Sequence, residues 1–153
     1  QLLRFTALAL ALCSGACLAG CDTDEQDLAA NARSFEDGVT KDTEGGAFRV
    51  SLTSREGLAA DADNNLVAHV GFHDPSDPEG PGHGIPGAQV QLDAYMPGAE
   101  GFVDALEANY IGEGRYEISG LELPQAGVWQ FEFSIAVGET LDESVAFVFS
   151  ISE

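Results

Sequence analysis

The chain has 153 residues, with 26 Asp and Glu against six Lys and Arg, a formal net charge of −20 and 44% hydrophobic content. That length supports one domain with a real core, and that apolar content excludes a wholly disordered chain. Six scattered cations cannot neutralise a phosphate backbone, which excludes nucleic acid, and an anionic membrane repels the chain unless something covalent holds it there.

Residues 1–20 carry Arg4, no acidic residue, an apolar run from Phe5 to Leu12 and then small residues. A basic start, a short apolar run and small residues before a cut predict a signal peptide rather than a spanning helix. At its end Leu18-Ala19-Gly20-Cys21 resembles the bacterial lipobox. The resemblance implies cleavage between Gly20 and Cys21, followed by lipidation of Cys21. Two acyl chains suffice for stable anchoring at ~0.8 kcal/mol per buried CH₂. The implied location is the bacterial cell envelope, anchored by lipid and facing the periplasm or the outside. Asp22 resembles an inner-membrane retention signal used by some bacteria, and the choice of membrane stays open. Cys13, Cys17 and Cys21 lie four apart, a stripe that suggests a metal or disulfide cluster. Cys13 and Cys17 leave with the signal peptide, however, and Cys21 becomes a thioether, so no cysteine chemistry is expected.

Residues 21–46 turn acidic, with eight acids against Arg33 and Lys41 and little apolar content. They predict a flexible linker, with at most a short helix around Asp27–Phe35. From Ala47 onward the apolar period is two. Phe48, Val50 and Leu52 alternate with polar neighbours, as do Leu66 to Phe72, Ala88 to Ala94, Tyr116 and Ile118, Trp129 to Val137, and Val145 to Ile151. Each run predicts a half-buried strand, and Gly, Pro, Asn and Asp clusters separate them. Glu100–Ala108 reads equally as a short helix or a crossing strand. The pattern predicts an all-β antiparallel sandwich of about seven strands over 47–153.

Three ordered pieces resemble the YtkA-like domain, related to FixH-like and other immunoglobulin-like periplasmic modules. They are Asp63 to Val70, Gly84 to Gly98 with its Met96-Pro97 ending, and Gly114-Arg-Tyr116 through Gly127-Val-Trp129-Gln-Phe131. The resemblance spans the whole predicted domain and implies an immunoglobulin-like β-sandwich. Gly87 and Gly127 suit turns that launch strands, and Pro97 suits a strand end. Tyr116 is placed to bury its ring and bond its hydroxyl near a turn, and Trp129 is the largest core candidate. Family members often continue past Met-Pro with a second Met or a His suited to copper. This chain has Ala99-Glu100-Gly101 there, so those soft ligands are absent.

Metal chemistry has His69, His73, His83 and Met96 to draw on. His69 and His73 stand ~13 Å apart on one continuous strand, too far to share an ion. Met96 continues the inward series Ala88 to Ala94, which makes it a core residue. The remaining candidate site joins His73 and His83 with Asp74, Asp77 and Glu79 of the loop between them. Asp61, Asp63 and Asn65 begin like a calcium loop, but Leu66 replaces its glycine and Phe72 its bidentate acid. The acidity alone attracts Ca²⁺ weakly. No G-x-S-x-G elbow, H-E-x-x-H or phosphate loop is present. The expected function is a non-catalytic binding or accessory module of the envelope, engaging envelope proteins or glycans. The alternative is a periplasmic copper- or other metal-binding protein.

Overall fold

The computed structural model describes residues 22–98, 102–139 and 141–153. A helix, α1 (Asp22–Asn31), precedes strands β1 (Arg33–Ser34), β2 (Val39–Asp42), β3 (Phe48–Thr53), β4 (Asp63–Phe72) and β5 (His83–Gly84). Strands β6 (Gln89–Tyr95), β7 (Phe102–Glu107), β8 (Asn109–Gly112), β9 (Arg115–Glu122), β10 (Gly127–Val137) and β11 (Leu141–Ile151) follow. One sheet has the order β1-β11-β10-β6-β7 and the other β2-β3-β4-β9-β8, with β5 added to β4. The two pack as an immunoglobulin-like β-sandwich. Every pairing is antiparallel except that of β1 with β11.

The alternating residues of both inner faces form one core. Phe48, Val50, Leu52, Leu66, Ala68 and Val70 of one sheet meet Val90, Leu92, Trp129, Phe131 and Phe133 of the other, all buried. Each large side chain contributes roughly 1.5–3 kcal/mol by leaving water. Phe131 meets Phe149 edge-on at 5.3 Å between ring centroids, and Phe133 meets Phe147 in the same way at 5.9 Å. Such edge-to-face pairs add to the burial term.

The predicted linker is shorter than 21–46. Arg33–Ser34 and Val39–Asp42 are strands of the two sheets, and Phe35 packs edge-on against Phe149 at 5.3 Å. Lys41 holds the sandwich side shut, donating through Nζ to Ala146 O at 2.6 Å with its ammonium 5.7 Å from the Phe147 ring centroid. These anchors are isolated apolar and basic residues in an acidic stretch, so no periodic signal announces them.

Among the described residues seven strands have six or more residues, as the alternation predicts, namely β3, β4, β6, β7, β9, β10 and β11, and four short ones join them. Strands of two to four residues carry no readable alternation. The ambiguous stretch near 100–108 is strand β7, with Leu92 opposite Leu106 and Ala94 opposite Val103. The register shift between those pairs places both Val103 and Leu106 against the core. The helical reading rests on Phe102 and Leu106, four apart and so on one side of a helix, whereas the strand turns Val103 inward and leaves Phe102 57% exposed.

Candidate functional site

The residues singled out for metal binding lie on a strap, 74–82, that crosses the outer face of the six-stranded sheet. Arg49 fixes this strap. Its guanidinium donates to Asp42 through Nε (2.7 Å) and Nη2 (3.1 Å), and through Nη1 to the carbonyls of Pro78 and Gly80, the latter at 3.1 Å. Arg49 is only 6% exposed in consequence, and all of Phe48 to Leu52 is buried on both faces of β3. The hydrogen bonds from Arg49 hold the Asp42 carboxyl below its usual range. Glycine lets the backbones approach: a Cβ on Gly71 would lie 2.5 Å from Pro81 O, and one on Gly82 would strike Phe72 O.

The five proposed metal ligands do not converge. His73 Nδ1 lies 3.3 Å from Asp42 Oδ1, without the geometry of a hydrogen bond. His83 is exposed, with Nε2 3.9 Å from Asp74 Oδ2. Asp74 accepts from Ser76 N (2.8 Å) and Ser76 Oγ (2.6 Å), bonds that lower its pKa. Asp77 accepts from Gly80 N at 3.1 Å, and Glu79 is exposed. Among the described residues no group of three His, Cys, Asp or Glu side chains is arranged to hold an ion. The loop's acids shape turns, which is the common role of Asp in such sequences. His69 lies under the strap with Nδ1 buried and unbonded, and burial holds its pKa below the ordinary histidine value.

The other motif residues are architectural. Tyr116 is buried, donates its hydroxyl to Ile85 O at 2.6 Å and accepts from Ala88 N at 2.9 Å, bracketing the turn at Gly87. Gly87 has φ 75°, a value that favours glycine. Trp129 is buried with Nε1 donating to Gln125 O at 3.0 Å. Met96 packs on the core, and a Cβ on Gly127 would collide with its methyl group. Pro97 and Gly98 form the turn after β6.

Beyond the strap, the same outer face opens into a groove of about 600 Å³. Thr53, Asn65, Val67 and Glu117 form its floor, from three adjacent strands. One wall is the loop 54–62, fixed by Asn64. This side chain is 4% exposed, accepts from Ala59 N at 2.9 Å and donates to the carbonyls of Ala59 (2.9 Å), Ala62 (3.1 Å) and Leu121 (3.1 Å). Further bonds run from Ala60 N to Ser152 O at 3.0 Å and from Asp61 N to Leu123 O at 2.9 Å. Of the residues that resembled the start of a calcium loop, Asp63 and Asn65 line this groove, and Asp61 lies in the loop that walls it. The opposite side carries Ile111, 44% exposed, and Arg115, which is bonded to Glu113 Oε2 at 3.3 Å. Arg55 lines the groove without a hydrogen bond or ion pair among the described residues. Sequence reading missed this groove because Thr53, Val67 and the pair Arg115 and Glu117 come from three strands far apart in the chain. Their signal was only that they face away from the core.

No protein-family model, curated protein or solved structure matches the chain. Cys21 and the 1–20 signal segment lie outside the described residues. Among the described residues no helix is long and apolar enough to cross a membrane.

Proposed function

We propose that the chain is a lipid-anchored protein of the bacterial cell envelope whose sandwich is a non-catalytic, YtkA-like binding or accessory module. The observation that carries this reading is Leu18-Ala19-Gly20-Cys21, which closes an apolar N-terminal run and stands just before an acidic segment. Acyl chains on Cys21 hold the protein to a surface that its acidic chain, net −20 before Arg4 leaves with the signal peptide, otherwise repels. The ordered motifs ending in Met96-Pro97, Tyr116 and Trp129 support the domain assignment. The preformed groove beside Asn64 supports binding rather than a purely space-filling role.

The test is fractionation of the host expressing the wild-type chain and Cys21→Ser. The wild type takes up labelled fatty acid and sediments with membranes, whereas the variant loses the label and becomes soluble. Unchanged sedimentation and labelling of the variant contradict the anchor.

A further inference from the structure

We infer that the groove between loop 54–62 and β8 binds an extended peptide segment carrying both a cationic side chain and a carboxylate. The inference rests on reading the sandwich as a binding module, and it is independent of the lipid anchor. Its volume of about 600 Å³ falls within the usual range for ligand sites. The chain has only six Lys and Arg, yet two of them, Arg55 and Arg115, line this one groove. Arg55 makes no bond among the described residues, and Arg115 uses Nη2 toward Glu113 and Nε toward Gly112 O. A guanidinium fork with free donors selects a planar carboxylate.

Glu56, Asp63 and Glu117 line the same groove. A purely anionic ligand therefore meets repulsion there, as well as from a chain of net charge −20. A purely cationic one meets the two arginines. A segment with one charge of each sign complements both sets, its cation being drawn in by the long-range field and its carboxylate held locally. Ile111 and Val67 supply apolar surface for the intervening backbone or a small side chain. A neutral glycan satisfies neither set of charges. The wall held by Asn64 is already ordered, so binding does not have to order it.

The experiment is fluorescence anisotropy on the full chain in detergent at low and high salt. The probes are three labelled, N-acetylated and C-amidated glycine hexapeptides: one with a lysine and a glutamate, one with lysine alone and one with glutamate alone. The mixed-charge probe is expected to bind at least tenfold tighter than either single-charge probe. Arg55→Ala and Arg115→Ala each weaken it at least fivefold, with circular dichroism and melting temperature unchanged. Arg55→Lys serves as the conservative control and recovers part of the loss. Equal binding of mixed and lysine-only probes, binding indifferent to both arginine variants, or preference for a chitin oligosaccharide competitor overturns the inference. If no probe binds at all, the groove is not a peptide site. Soluble behaviour of the wild-type chain would refute the anchor while leaving this result untouched.

Discussion

The outer face of the six-stranded sheet has two halves with opposite treatment of their polar groups. In the strapped half, Arg49 spends its donors on Asp42, Pro78 and Gly80, and the face disappears beneath the strap. In the open half, Arg55 is unbonded among the described residues and Ile111 is exposed beside a groove. Both halves contain charged residues, so charge content alone does not identify a binding surface. What differs is whether the chain's own backbone already satisfies the charge. A buried guanidinium that donates to its own loop is architecture, whereas an arginine with free donors beside a fixed wall is available to a ligand.

The comparison breaks most visibly at Arg49. Arg49→Ala leaves Asp42 and two strap carbonyls without their donor, and is expected to give the largest stability loss on this face. Amide exchange measured by mass spectrometry should speed up across 74–82, while β10 and β11 stay protected. Arg49→Lys should rescue little, because one ammonium cannot reproduce the forked contacts. Strap exchange unchanged in Arg49→Ala would show that the glycine contacts at Gly71 and Gly82 hold the strap alone.

A smaller effect follows from His69. Its pKa is lowered by burial, and the nearby charge of Arg115 adds to this, while the carbonyls of Glu113 and Pro81 oppose it. A base whose folded pKa is lowered favours the folded state fully above its unfolded value. Stability is then lost as pH falls below about 6.5 toward the folded pKa. His69→Gln is expected to flatten the fall of the urea midpoint as pH drops below about 6.5, a loss that begins above the titration of Asp42 and Asp74, whose pKa values are lowered from 3.8. An equally steep profile in the variant places the proton uptake elsewhere.

The smallest expected effect concerns metal. After dialysis against Cu²⁺ or Zn²⁺ and then buffer, the mature lipidated chain, freed of Cys13 and Cys17, should keep well below one equivalent, because the described strap residues do not converge. Retention of one equivalent, lost on replacing His73 and His83 by Ala, would return the strap to the metal reading.

The core was largely legible from alternation. Phe48 to Leu52, Leu66 to Val70 and Trp129 to Ile135 are inward as period two requires. Alternation fails where a register shift intervenes. In β9 the buried series passes from Tyr116 and Ile118 to Leu121, and Gly120 with φ 72° sits at the change of parity. Phe72 continues the inward series of β4 yet is 49% exposed, because the strand runs out beyond the core. The site was less legible. The 73–83 stretch looked chemically rich because its His, Asp and Glu are adjacent in sequence, but Asp74 and Asp77 bond their own turns. The groove was invisible because its arginines, 55 and 115, are brought together only by the pairing of β3, β4 and β9.

The most direct test of the division between the halves is a ¹H–¹⁵N spectrum of the full chain, titrated with the hexapeptide carrying one lysine and one glutamate. Amide shifts should concentrate at Thr53, Asn65, Val67 and Glu117, with the amides of Asp77 and Gly80 unmoved. Shifts confined to the strap, or spread evenly over the acidic surface, would contradict the assignment of binding to the open half.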